Sequence, residues 1–191
     1  MSSHVSELTR RRAGDRPERV ERFCRAAVEE LERVGHDRLT IRAVAARAGV
    51  SPASAYTWFA SKDHLFAHLF HKLLAEAPTI LLTGTTARTR LSETIHQLSG
   101  LIAGAPAVSA AATQSLLGAD PEVARLRPQI GAVFLGRFAA ALGEGGDPRV
   151  LDAVAFAFFG ALLQAGMGEL EYAGIGPRLD GVLAVLLDGD A

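Results

Sequence analysis

TIRAVAARAGVSPASAYTWFASK, residues Thr40 to Lys62, contains two short helical segments joined by Gly49-Val50. Thr40 is a natural N-cap for the first. Ile41, Val44, Ala45 and Ala48 share one inward face, and Arg42, Ala43, Ala46 and Arg47 turn the other way. Gly49 stops this helix and permits the turn. Ala45 is small enough for the two helices to cross closely. Ser51 caps the second helix, with Pro52 at its first position, and the segment runs to about Phe59. Two short helices around such a turn form a helix-turn-helix, whose second helix can enter a major groove about 12 Å wide.

The chemistry of that second helix suits a polyanion. It presents Pro52, Ala53, Ser54, Thr57 and Trp58, with no acidic residue to repel phosphate. Ser51 and the helix N-terminus offer backbone N–H groups to a phosphate oxygen. Tyr56 brings a phenolic hydroxyl on a rigid ring, which suits either a phosphate contact or packing. Phe59 falls under the short helices and reads as core. Lys62 opens the next helix, within reach of a DNA backbone.

Gly49-Val50-Ser51, Tyr56, Phe59, Ser61-Lys62 and Leu65 resemble the signature of TetR-family transcriptional regulators. Thr40-Ile41-Arg42-x-Val44-Ala45 is similar to the family's second helix. Phe23, Ala26, Ala27 and Gly35 are similar to its lead-in. The resemblance covers roughly residues 17–75 and departs at Pro52-Ala53, Ala55 and Ala60. It implies a homodimeric DNA-binding regulator, usually a repressor, acting on a palindromic double-stranded DNA operator. It implies phosphate contacts from Thr40, Ser51, Tyr56, Thr57, Trp58 and Lys62. It implies base contacts from Arg42, Pro52, Ala53 and Ser54, Arg42 being suited to guanine O6 and N7. A variable C-terminal helical domain would bind a small molecule and supply the dimer interface.

Working outward, the expected fold is all-α, with about nine helices: an N-terminal three-helix helix-turn-helix domain and a C-terminal helical bundle. Residues 1–15 are expected as a flexible arm, 16–62 as the DNA-binding domain and 63–191 as the ligand-binding and dimerisation domain. The first helix is expected from Pro17 to Gly35, capped by Asp15. Arg10, Arg11 and Arg12 read as part of a solvated arm rather than a minor-groove reader. Later helices are expected near 87–103, 106–117, 121–142, 148–170 and 177–187, with Pro128 kinking or splitting the third of these. No strand pattern or repeat is evident.

Charge divides the 191-residue chain. Residues 1–72 carry 13 Lys and Arg against 9 Asp and Glu, and residues 73–191 carry 7 against 12. Only the front is therefore expected to meet a polyanion. One cysteine, Cys24, excludes a disulfide framework and a multi-cysteine zinc module. Met1 to Asp15 has no apolar run, so a cytoplasmic location is expected.

The rear half carries no motif. Val150 to Gly168 is almost wholly apolar, long enough to raise a membrane span, but Asp152 and Gln164 lie within it and no basic flank follows. A helix apolar all round is instead buried on all sides, which in a small domain calls for a second subunit. Ala153, Ala157, Gly160 and Ala161 would let partner backbones approach. Leu179, Val182, Leu183 and Leu186 would join them in a four-helix seam. Phe134, Phe138, Phe156, Phe159 and Met167 could line an apolar cavity, though such spacing also suits core. His96, Gln97, Gln114 and Gln164 are the polar groups placed to orient a guest. Charges do not cluster here, which favours a neutral, hydrophobic effector. His64, His68 and His71 share a helix face but lack a Cys or carboxylate partner and read as solvated. No cofactor, metal or catalytic motif is expected. Two other readings stay open: a DNA-binding regulator without a small-molecule ligand, and a helical small-molecule-binding protein or enzyme with a vestigial DNA-binding domain.

Overall fold

The computed structural model describes the backbone of residues 2–79 and 81–188, and side chains for 16–79 and 81–188. The described residues form nine α-helices and one 3-10 turn, with no strand. They divide into two compact units, Met1–Leu65 and Phe66–Ala191. The sequence had placed that division three residues earlier, after Lys62.

In the front unit, α1 (Ser2–Arg38) leads into α2 (Ile41–Ala48), α3 (Pro52–Trp58) and the first turn of α4 (Lys62–Glu76). Helical backbone begins at Ser2, not at the expected Pro17, which lies inside the helix. The side chains of the Arg10–Arg12 run, and the arm assigned to them, lie outside the described residues. Gly35 takes φ 76, ψ 164 inside α1, a positive φ that interrupts the helix where a cap was expected. Phe23, Cys24, Ala27 and Leu31 form the buried stripe of α1, joined by Ala26 and Glu30. Phe23 stacks on Phe59, their ring centroids 5.7 Å apart, so Phe59 is core as its spacing predicts.

The rear unit continues through α5 (Ala87–Ala103), α6 (Pro106–Leu117), α7 (Pro121–Leu142), α8 (Pro148–Gly166) and α9 (Ile175–Asp188), with a 3-10 turn at Tyr172–Gly174. Side chains cap α5, α7 and α8 at Thr86, Asp120 and Asp147, which accept from backbone N–H groups of the first turns. The core gathers Phe70, Leu91, Ile95, Leu98, Phe134, Phe138 and Phe158 with Leu179 and Leu183 of α9. Two expectations change. Pro128 does not split α7, which runs from Pro121 to Leu142. Helix α8 stops at Gly166 rather than near residue 170, and Gly168 then takes φ 81.

Candidate nucleic-acid interface

The turn between α2 and α3 closes as a hydrogen-bonded unit. Gly49 sits in the left-handed region at φ 63, ψ 35. Its N–H donates to Ala46 O at 3.2 Å, and Val50 N–H donates to Ala45 O at 3.0 Å. This pair of bonds is a Schellman motif, which satisfies the carbonyls at the end of α2. Val50 is buried. Thr40 Oγ1 accepts from Ala43 N–H at 3.2 Å, and Ser51 Oγ accepts from Ser54 N–H at 3.1 Å. Both short helices thus begin on a side-chain cap, and Ala55 anchors α3 from its buried face.

Of the ten residues expected at the interface, seven are exposed and three are half-buried, Ser54 among the latter. Thr40, Arg42, Ser51, Pro52, Ala53, Tyr56 and Thr57 are exposed. Among the described residues, Arg42 and Tyr56 have no side-chain hydrogen bond or ion pair, and Tyr56 is 47% exposed. These two side chains are free to meet a ligand. The hydroxyls are partly committed. Ser51 Oγ donates to Ser54 Oγ at 2.9 Å, and Thr57 Oγ1 donates to Ser54 O at 2.6 Å.

Trp58 and Lys62 are half-buried and serve the scaffold. Trp58 meets the Phe23 ring edge-on at 5.9 Å, while the Arg19 guanidinium lies 5.8 Å from its centroid. Lys62 Nζ donates to His36 O at 2.9 Å and Asp37 O at 3.4 Å, closing the carbonyl end of α1. That position differs from the free backbone contact the sequence suggested.

Several supporting residues escaped the sequence reading. Glu30 is only 4% exposed and accepts from Arg33 Nη2 at 2.6 Å and Arg47 Nε at 2.9 Å. The hydrogen bond from Arg33 leads in holding its carboxyl below the usual glutamate range, against the cost of burial. Arg47 thereby ties α2 to α1 instead of facing a partner. Arg22 Nε also crosses between them, donating to Ala48 O at 2.9 Å. The signal was an acid set among Ala26, Ala27 and Leu31 on the inward face of α1.

The histidines do not assemble a centre. Among the described residues, no three His, Cys, Asp or Glu side chains gather as metal ligands. His64 Nδ1 accepts from Ala60 N–H at 3.3 Å, and its ring meets Phe59 at 5.6 Å.

In the rear unit the nine candidate ligand residues do not converge. Phe134 and Phe138 are core. His96, Gln97, Gln114, Phe156, Gln164 and Met167 are exposed. His96 Nε2 pairs with Asp180 Oδ2 at 2.9 Å. Phe159 alone of the nine lines an apolar groove of about 370 Å³, with Thr113, Leu116, Leu117, Gly160, Leu162 and Leu163.

The seam residues also separate. Leu179, Leu183 and Ala161 are buried within the subunit's own core and are not available to a partner. Ala153, Ala157, Val182 and Leu186 are half-buried, and Gly160 is exposed. On or beside α8 and α9, the large apolar side chains left outward are Phe156 at 77% exposed, Met167 and Val185 at 70%. Only a third of the most apolar stretch of α8 is buried, although its length and composition alone would let it cross a membrane.

A DNA-binding transcriptional regulator of the helix-turn-helix class is what this fold and this surface define. Residues 24–69 match the family model described as bacterial regulatory proteins, tetR family. An HTH-type transcriptional regulator of Mycobacterium tuberculosis is 40% identical over 166 residues, which cover 86% of this chain and 78% of that relative. A TetR transcriptional regulator from Rhodococcus sp. RHA1 shares the fold at a TM-score of 0.72 and 20% identity, covering 93% of this chain and 99% of that one. Thermus thermophilus FadR, a TetR-family transcriptional repressor solved with lauroyl-CoA, aligns at 0.67 and 20% identity, covering 90% and 94%. The chain belongs to the TetR family of bacterial regulatory proteins.

Proposed function

We propose that this protein is a cytoplasmic, homodimeric repressor that places two α3 helices in successive major grooves of a palindromic operator. The observation that carries this reading is the capped α2–turn–α3 unit, with Arg42 and Tyr56 exposed and uncommitted. Arg42 reads a base, Pro52 and Ala53 pack against base edges, and Thr40, Ser51, Ser54, Tyr56 and Thr57 contact phosphates and nearby base edges. Trp58 and Lys62 hold the reading unit in shape.

Pairing of two copies through the outward faces of α8 and α9 is supported by Phe156, Met167 and Val185, large apolar groups that a lone subunit leaves in water. Release from DNA is assigned to a largely apolar effector taken up by the rear unit. FadR with lauroyl-CoA offers a precedent within the fold. The groove beside Phe159 is the apolar surface available for it. An effector acts only through tighter binding to the DNA-incompetent state.

The test is fluorescence anisotropy with palindromic fragments drawn from DNA flanking the encoding gene, alongside sedimentation of the complex. Two subunits per fragment, with affinity falling steeply with salt, is the expected result. Indifference to every such fragment removes the reading. Retained binding in the presence of lipophilic acyl compounds of every chain length would favour a regulator without a small-molecule ligand.

A further inference from the structure

Three arginines of the rear unit close the carbonyl ends of helices. Arg90 spends all three nitrogens: Nε on Ala141 O at 2.8 Å, Nη2 on Leu142 O at 3.2 Å and Nη1 on Thr85 O at 3.3 Å. Arg127 donates from Nε to Leu116 O at 2.7 Å, and from Nη2 to Gly118 O. Arg137 donates from Nη2 alone, to Leu74 O at 2.8 Å and Ala77 O at 3.3 Å, at the end of α4. Among the described residues its Nε and Nη1 have no partner, and no carboxylate pairs with it. The half-buried Arg137 lines a cavity of about 160 Å³ with Thr79, Leu82, Thr94 and Ala140. Thr94 Oγ1 is already committed to Arg90 O at 2.8 Å, which among the described residues leaves Thr79 as the other polar group on the wall with an open hydroxyl.

A partly desolvated guanidinium with unused donors and no counter-charge is an incomplete ion pair. A cavity of roughly 150 Å³ takes a benzene-sized body. We propose that this cavity binds a small monocarboxylate, its carboxylate on Arg137 and its apolar body between Leu82 and Ala140. This rests on the reading of the rear unit as ligand-responsive and adds to the groove beside Phe159 a second, separate site that takes an anionic head, where the sequence had favoured a neutral ligand.

The geometry also supplies a consequence for α4. A guanidinium has two outward edges that hold a carboxylate with two bonds, Nη1 with Nη2 and Nε with Nη2. Both include Nη2, whose hydrogens serve Leu74 O and Ala77 O. Two-point capture therefore withdraws at least one bond from the end of α4. The division between the two units falls on that helix, which begins at Lys62 beneath the reading unit.

Isothermal titration of the full chain with benzoate and with benzyl alcohol, its uncharged counterpart, tests the site. Benzoate is expected to bind at about millimolar or better, at least tenfold more tightly than benzyl alcohol. Arg137→Gln is expected to lose that preference. Amide exchange across residues 70–79 is expected to speed up in the benzoate complex, as the last turn of α4 loosens. Ala140→Phe keeps Arg137 and fills the cavity, so it is expected to abolish binding even if Arg137→Gln fails to fold. Equal binding of the two compounds overturns the proposal, as does full benzoate binding by either variant. Binding with unchanged exchange in α4 overturns the coupling. Benzoate binding without release of an operator fragment leaves the site standing and removes an effector role for this cavity.

Discussion

Arg42 and Lys62 are both cations of the reading unit, yet their surroundings assign them different work. Arg42 is exposed and unpaired among the described residues, while Lys62 closes the carbonyl end of α1. Arg42→Ala is expected to weaken specific operator binding by about 1–3 kcal/mol and to relax preference at one base position, with thermal stability unchanged. Competition binding against single-base operator variants measures this. Lys62→Ala is expected to cost about 1 kcal/mol of folding stability and to leave the salt slope nearly intact. A slope flattened by a full unit, at unchanged melting temperature, would return Lys62 to the phosphate contacts. Sequence spacing placed both residues on the right elements. It could not reveal what Lys62 bonds, because His36 and Asp37 approach it only through the fold.

At the scale of elements, caps and periodicity were legible because they are local. Thr40, Gly49 and Ser51 each act where their chemistry suggested. Gly49→Val is expected to cost about 1–2 kcal/mol, since the left-handed conformation is strained for a β-branched residue. Urea unfolding followed through Trp58, the sole tryptophan, reads the front unit directly. What the sequence hid was the cross-helix ion network. Glu30 has its carboxyl pKa lowered in the folded chain, so it contributes stability above the ordinary glutamate pKa of about 4.3. That contribution is lost as pH falls from there through the lower folded value. Glu30→Gln is expected to lower stability at pH 7 and to flatten the acid dependence of the Trp58 signal. Pro128 leaves α7 unsplit for a local reason. The carbonyl its missing N–H would have served belongs to Ala124, an exposed residue, so water can satisfy it and α7 continues.

The whole molecule is where sequence pattern misassigned most. Hydropathy marked α8 and α9 as too apolar for one-sided burial, but could not say which stripe meets the subunit's own core. Leu179 and Leu183 turn inward to the core, and Phe156 and Val185 turn outward. Leu183→Ala is therefore expected to cost about 2–5 kcal/mol as a core truncation. The double variant Phe156→Glu/Val185→Glu is expected to yield folded monomers by sedimentation and circular dichroism, with operator affinity falling accordingly. Dimers that persist at micromolar concentration in that variant would exclude this face as the seam. The scattering of the nine ligand candidates has the same origin, since composition does not report which side of a helix looks at which cavity.

The outward Phe156 and Val185 carry a cost for a chain newly released from the ribosome. Under the pairing proposed above, a chain still without its twin offers greasy side chains to proteases and to other nascent polypeptides. Survival then scales with encounter rate, so scarce copies are cleared faster than abundant ones. A regulator that pairs in the proposed way would sharpen its own dosage threshold without any further circuitry.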